Sequence, residues 1–79
     1  MKILLTLEAC RINSGYTQKD VATLMGLSFK TIERYEKDSS RVPFDFIGKA
    51  ESLYKIPKEN IFFGNKYEFF NSLREGELN

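Results

Sequence analysis

The stretch Thr17 to Pro43, TQKDVATLMGLSFKTIERYEKDSSRVP, decides the fold that we predict for this chain. Thr17 is a suitable N-cap for a helix, and Asp20, three residues later, completes a weak version of the capping box. Gly26 ends that helix, because glycine readily adopts the left-handed conformation found at helix C-termini, and Ser28 can cap the next helix. We therefore predict two helices joined by a three-residue turn. Spacing alone leaves a plain helical hairpin as the alternative.

The later of these two helices, Ser28 to Tyr35, is the third helix that we predict in the chain, and it has two faces of different chemistry. At about 3.6 residues per turn, the face that turns inward carries Ser28, Ile32, Tyr35 and Glu36. The face that turns outward carries Lys30, Glu33, Arg34 and Lys37. Phe29 lies on the flank near the start of the helix. Three cations and one anion on the outward face would suit a phosphate-lined groove, whereas the alternative is an ordinary solvated helix of mixed charge.

Glu36 needs a partner, because an unpaired carboxylate is unfavourable on the inward side. Arg11 lies on the inward face of the first predicted helix, which comes before Thr17, and a bidentate contact between arginine and carboxylate satisfies both groups. We predict that Arg11 and Glu36 form an ion pair that locks the first helix to the end of the third. The alternative is that the two charges are solvated separately.

Helical spacing continues on both sides of this stretch. Thr6 can cap a first helix that runs to about Ser14, and Gly15 supplies its end. A fourth helix is predicted at about Phe44 to Tyr54. The predicted inward positions of the second and fourth helices are Val21, Ala22, Met25, Phe46 or Ile47, Ala50 and Leu53.

The C-terminal part is less regular. Pro57 marks a helix boundary, and a short fifth helix is predicted at Lys58 to Phe62. The tail, residues 65–79, is ambiguous between helix and strand. We predict an all-α fold, a compact bundle of about five short helices, with one domain over residues 1–64 and a separable tail.

Composition excludes several classes of protein. The 79 residues suffice for one small domain, and a single cysteine without any histidine argues against a zinc site or a Cys/His catalytic pair. Without a glycine-rich phosphate loop or clustered carboxylates, we do not expect an enzyme or a cofactor. No apolar run approaches the ~20 residues that cross a bilayer. The start, MKILLTLEACR, lacks the features of a signal peptide, so we expect a cytoplasmic protein.

Net charge gives little support for a nucleic-acid partner, because it is only +1. Its distribution is slightly more informative. Residues 11–41 carry six basic against four acidic side chains, and residues 66–79 carry two against three. The positive bias therefore lies in the middle of the chain.

The same stretch resembles the helix-turn-helix of the lambdoid phage repressor and Cro class, which includes many small xenobiotic-response-element-type regulators. The residues that match at the spacing of this family are Arg11, Gly15, Thr17-Gln18, Val21-Ala22, Met25-Gly26-Leu27-Ser28, Ile32, Tyr35-Glu36 and Pro43. The resemblance extends through Leu53-Tyr54 and Ile56 and covers residues 5–63. The short length and the IFFGNKY ending also resemble small regulators of phages and mobile elements.

This resemblance implies a transcriptional regulator, expected to be a repressor, that binds double-stranded operator DNA as a homodimer. One recognition helix of each subunit would enter successive major grooves about 34 Å apart. The positions expected to contact bases are Phe29, Lys30, Glu33 and Arg34. The positions expected to contact phosphates are Thr17, Gln18, Ser28, Lys37, Ser39 and Arg41.

Two residues depart from the usual pattern of this family. Phe29 stands where many relatives carry a polar residue, and Asp38 places a negative charge near the expected path of the phosphates. Both features are compatible with a second function, a protein-interaction module of the same fold. Such a module would modulate a second regulator protein, namely another repressor. Alternatively, it would act as the antitoxin of a toxin–antitoxin pair.

The tail is more apolar than a free terminus usually is. We expect residues 67–73 either to pack on the core or to complete a homodimer interface together with residues 61–63. The candidate interface residues are Ile61, Phe62, Phe63, Tyr67, Phe69 and Phe70.

Overall fold

A computed structural model describes residues 3–78, so residues 1–2 of the apolar start and residue 79 of the predicted tail lie outside the described range. Within that range the chain forms five α-helices and one short 3₁₀ helix. The helices are α1 (Leu7–Asn13), α2 (Gln18–Met25), α3 (Phe29–Lys37), α4 (Phe44–Tyr54), the 3₁₀ helix (Lys58–Asn60) and α5 (Lys66–Leu78). The predicted all-α fold is confirmed. None of the described helices has both the length and the apolarity that crossing a bilayer requires.

Side-chain caps fix the starts of the first three helices. The hydroxyl of Thr6 accepts a hydrogen bond from the backbone N–H of Ala9 at 3.1 Å. Thr17 and Asp20 form a complete capping box, with distances of 2.9 and 3.1 Å. Ser28 accepts from the N–H of Thr31 at 3.1 Å. These bonds satisfy N–H groups that have no partner inside a helix.

The turn between α2 and α3 depends on Gly26. Its φ of +68° lies in the left-handed region, and its N–H donates to the carbonyl of Thr23. The next residue, Leu27, donates its N–H to the carbonyl of Ala22 and packs against the core. The predicted three-residue connection is therefore present, and α3 extends two residues beyond its predicted end, to Lys37.

The core lies where α1 to α4 meet the segment before α5. Its buried residues are Leu7, Cys10, Val21, Ala22, Met25, Ile32, Phe46, Ala50, Tyr54 and Ile61. The ring of Tyr35 meets that of Phe46 edge-on, with centroids 4.8 Å apart. Burial raises the pKa of the Cys10 thiol and that of the Tyr54 phenol, so both groups stay neutral.

The short helix predicted over Lys58 to Phe62 begins at Lys58 as expected, but its predicted end at Phe62 is wrong. Only Lys58–Asn60 is helical, and Ile61 is extended, with φ of −108° and ψ of 129°. The reason is a contact with the start of the chain, where the N–H of Leu5 donates to the carbonyl of Asn60 and the N–H of Phe62 donates to the carbonyl of Leu5, each at 2.8 Å. These bonds form an isolated parallel bridge between Leu5 and Ile61.

The ambiguous tail is a helix, α5. The side-chain oxygen of Asn65 accepts from the N–H groups of Tyr67 and Glu68 at 3.0 and 3.2 Å and so caps it. The ring of Phe69 stacks on Phe62 with centroids 4.3 Å apart. The ammonium of Lys66 lies 3.6 Å from the carboxylate of Glu8 on α1. The first turns of α5 are therefore anchored to the helical bundle.

Candidate nucleic-acid interface

The outward face of α3 is formed by Lys30, Glu33, Arg34 and Lys37, and all four side chains are exposed. Ile32, on the opposite side and only 1% exposed, holds the helix in the core and so fixes which residues turn outward. The guanidinium of Arg34 lies 5.5 Å from the centre of the Tyr35 ring, within the range of a cation–π contact. Among the side chains that the structure describes, those of residues 3–76, Lys30, Glu33 and Lys37 take part in no ion pair or hydrogen bond. The outward face therefore offers donors and one acceptor to a partner.

The inward face of α3 carries a buried charge. The Glu36 side chain is 4% exposed, and the side chain of Arg11, its predicted partner, is 11% exposed. The Nε and Nη2 groups of Arg11 donate to the two carboxylate oxygens of Glu36 at 2.7 and 3.1 Å. The hydrogen bond to Glu36 raises the pKa of Arg11. This bidentate contact joins α1 to the end of α3.

A third donor reaches the same carboxylate. The side-chain amide of Gln18, the first residue of α2, donates to Oε1 of Glu36 at 2.9 Å. The sequence predicts a role for each of these residues but no contact between them. Their separation of 18 positions leaves no periodic signal. The three helices α1, α2 and α3 therefore meet at one carboxylate.

The loop after α3 forms the edge of an open groove. The carboxylate of Asp38 accepts from the N–H of Ser40 at 3.0 Å, a turn that asparagine and aspartate side chains commonly form. Hydrogen bonds with Ser40 and the charge of Arg41 lower the pKa of Asp38. The groove has a volume of about 580 Å³ and is lined by Arg34, Tyr35, Asp38, Ser40, Arg41 and Pro43. Asp38 therefore shapes the loop, a role that its sequence neighbourhood did not predict.

Ser39 is not available to a phosphate, and its prediction as a phosphate contact is wrong. It is 4% exposed, because its hydroxyl accepts from the N–H of Gly64 at 3.0 Å and its own N–H donates to the carbonyl of Gly64 at 3.0 Å. The other predicted contact positions in this part of the chain, Lys37 and Arg41, are exposed.

The other predicted phosphate positions lie at helix starts. Thr17 and Ser28 are exposed, and the hydroxyl of each already accepts a capping bond. Gln18 is half-buried. Phe29, at the start of α3, is 38% exposed, so its ring lies at the surface beside Lys30. Thr17, Gln18, Ser28 and the outward face of α3 thus belong to the same pair of helices.

The candidates for a dimer interface separate into two groups. Ile61 is 3% exposed and belongs to the core, so its prediction as an interface residue is wrong. Phe62 and Phe69 stack on each other, and Phe63 packs against the core. Tyr67 and Phe70 are exposed, as is Leu73 one turn further along α5. These last three side chains present an apolar surface.

Among the described residues, no group of three or more histidine, cysteine, aspartate or glutamate side chains lies close enough to hold a metal ion.

Comparison with known proteins agrees with this geometry. The profile of the Helix-turn-helix family matches residues 7–60, from the start of α1 to the end of the 3₁₀ helix, which is more than half of the chain. A comparison with curated proteins gives no match. The resemblance inferred from Thr17 to Pro43 is thereby confirmed. The chain belongs to the helix-turn-helix family of DNA-binding regulators, of the Cro/C1 type.

Proposed function

We propose that the protein is a sequence-specific transcriptional repressor of a phage or mobile element, acting in the cytoplasm of the host cell. It binds double-stranded operator DNA as a homodimer and reads the major groove with α3. The observation that carries this proposal is the exposed outward face of α3, where Lys30, Arg34 and Lys37 surround the single acceptor Glu33.

The chemistry of that face matches base edges. Lysine or arginine donates to O6 and N7 of guanine, and glutamate accepts from N4 of cytosine. The exposed ring of Phe29 supplies an apolar contact for a thymine methyl group. Lys30, Glu33 and Arg34 would therefore read base pairs of mixed type.

Phosphate contacts would flank the base contacts. Thr17, Gln18 and Ser28 lie at the starts of α2 and α3, where backbone N–H groups and the helix dipole favour an anion. Lys37 and Arg41 lie at the far end of α3 and in the loop after it. Contacts at both ends would fix the orientation of α3 in the groove.

The homodimer would form through α5. Tyr67, Phe70 and Leu73 are 56, 38 and 51% exposed, and their spacing of three places them on one side of the helix. The Phe62–Phe69 stack holds the start of that helix on the core. A second copy that covers this apolar face would set the spacing between the two α3 helices.

A second candidate function is a protein-interaction module that modulates another repressor or neutralises a toxin. The observation that favours it is Phe29, which cannot hydrogen-bond a base and is 38% exposed at the start of α3. In that case Phe29 would pack against a partner protein instead of a thymine methyl group.

A salt titration of DNA binding separates the two candidates. The probe is the double-stranded region upstream of the protein's own gene, and affinity is measured between about 50 and 200 mM salt. A reader with about four to six phosphate contacts per subunit loses affinity steeply over this range. Absence of specific retardation at the lowest salt would overturn the DNA-binding proposal and favour the interaction module.

Two matched lysine variants test whether the phosphate contacts lie at the end of α3. Lys37→Ala removes an exposed cation at the end of α3 and is expected to lower the salt slope by about 1 per subunit, that is, by about 2 for the homodimer. Lys58→Ala removes an exposed cation from the 3₁₀ helix and is expected to leave the slope unchanged. Equal effects of the two variants would contradict binding through α3.

A further inference from the structure

We propose that Glu36 is a positioning residue for DNA binding, because its buried carboxylate holds the side-chain amide of Gln18 in the orientation that meets a phosphate. This inference rests on the proposed function and assigns to Glu36 a task beyond its ion pair with Arg11. Glu36 itself does not touch the DNA in this proposal.

The carboxylate is rigidly held from the side of α1. Arg11 donates to both oxygens, and its third nitrogen, Nη1, donates to the carbonyl of Tyr16 at 3.0 Å. Each nitrogen of this guanidinium thus has a fixed acceptor, and the carboxylate has little freedom to rotate. The Glu36 carboxylate is therefore a fixed acceptor that can hold another side chain in one orientation.

Gln18 links the carboxylate of Glu36 to the protein surface. Its Nε2 donates to Oε1 of Glu36 at 2.9 Å, and the residue is half-buried at the first position of α2. A side-chain amide has two N–H donors and one carbonyl acceptor. The bond to Glu36 uses one N–H, so the second remains able to donate to a phosphate oxygen.

Ordering Gln18 in advance lowers the cost of DNA binding. A long side chain loses rotamer freedom when it is fixed on a partner, and a side chain that is already fixed loses less. A purely structural Glu36 would affect stability alone, whereas a positioning Glu36 makes the contribution of Gln18 to affinity depend on Glu36. That dependence is measurable.

The test is a double-mutant cycle on DNA affinity with Gln18→Ala and Glu36→Gln, with folding of each variant checked by circular dichroism. We expect Gln18→Ala to weaken binding by about 2- to 10-fold in the wild-type background and by less when Glu36 is glutamine. The matched control is Glu59→Gln, which removes one negative charge from an exposed side chain of the 3₁₀ helix, away from the proposed DNA contacts. In that background the effect of Gln18→Ala is expected to keep its wild-type size.

The outcomes separate this inference from the proposed function. If wild-type protein does not bind the upstream DNA, both the proposed function and the positioning role of Glu36 are overturned. If it binds, but Gln18→Ala costs the same in all three backgrounds, only the positioning role of Glu36 is overturned.

A second measurement keeps the test valid if Glu36→Gln does not fold. Gln18 is the only glutamine in the chain, so protein labelled with amide-¹⁵N glutamine gives a single pair of side-chain N–H signals. For wild-type protein without DNA, we expect one of the two protons to exchange with water more slowly than in free glutamine. Two protons that both exchange as in free glutamine would overturn the proposal.

Discussion

The two glutamates of α3 show how differently the two faces of one helix use the same side chain. Glu36 is buried and accepts hydrogen bonds from Arg11 and Gln18, whereas Glu33, three residues earlier, is exposed and has no such partner among the described residues. The carboxylate that faces inward joins helices, and the one that faces outward remains available to a partner molecule. Changes on the inward face should therefore affect stability, and recognition only indirectly through Gln18, whereas changes on the outward face should affect recognition directly.

Arg11→Met should cause the largest loss of stability. It leaves the buried carboxylate of Glu36 without its guanidinium and should lower the free energy of unfolding by about 3–5 kcal/mol. Urea denaturation measures this change. An unchanged unfolding midpoint would show that the ion pair contributes nothing to stability.

The double variant Arg11→Met with Glu36→Met is the control for this interpretation. It removes both charges, and replacing a buried ion pair by apolar side chains is often close to neutral. It should therefore be more stable than Arg11→Met alone. A double variant that is less stable than the single one would assign the loss to packing and not to the unpaired charge.

Arg34→Ala and Lys30→Ala test the outward face. Each should weaken binding to operator DNA by about 1–3 kcal/mol and relax the preference at one base position, because each removes a donor to a base edge. Unfolding free energy should change little, since both side chains are exposed. A loss of stability without a loss of affinity would reverse the assignment of the two faces.

Gly26→Ala tests the turn that orients α3 against α2. The φ of +68° is strained for alanine, so the variant should be less stable by about 1–2 kcal/mol, although a Cβ atom there would meet no other atom within 4 Å. Gly48→Ala is the control, because Gly48 lies inside α4, where a Cβ atom also has open space. It should be more stable by about 0.5–1 kcal/mol. Equal thermal shifts for the two variants would contradict a conformational role for Gly26.

The smallest expected effect concerns Asp20 and acid stability. Hydrogen bonds from Thr17 hold the pKa of Asp20 below its ordinary value of 3.8. Because the folded pKa is the lower one, this contribution is present above 3.8 and is lost as the pH falls through the folded value. Asp20→Asn should therefore show a weaker loss of stability on acidification than wild type. Identical pH profiles in thermal unfolding would contradict this linkage.

The segment from Thr17 to Lys37 could be predicted because its structure depends on neighbouring residues. Thr17, Asp20, Gly26 and Ser28 act within a few positions along the chain, and the inward stripe follows from helical periodicity. The exposed outward face of α3 follows from the same periodicity. The fold and the outward part of the candidate site were therefore accessible from the sequence.

The segments that could not be predicted depend on contacts between distant residues. Ile61 is extended because Leu5 pairs beside it, and Ser39 is buried because Gly64 supplies its partners. The contact of Gln18 with Glu36 likewise joins two helices. The residues that neighbour these positions in the sequence do not indicate which distant residue each of them contacts.

The most direct test of DNA recognition by α3 is an NMR titration of ¹⁵N-labelled protein with operator DNA. We predict that the largest changes in chemical shift occur at Lys30, Glu33 and Arg34, together with the side-chain amide of Gln18. Changes confined to α4 and α5, with α3 unaffected, would contradict the proposal that the outward face of α3 reads DNA.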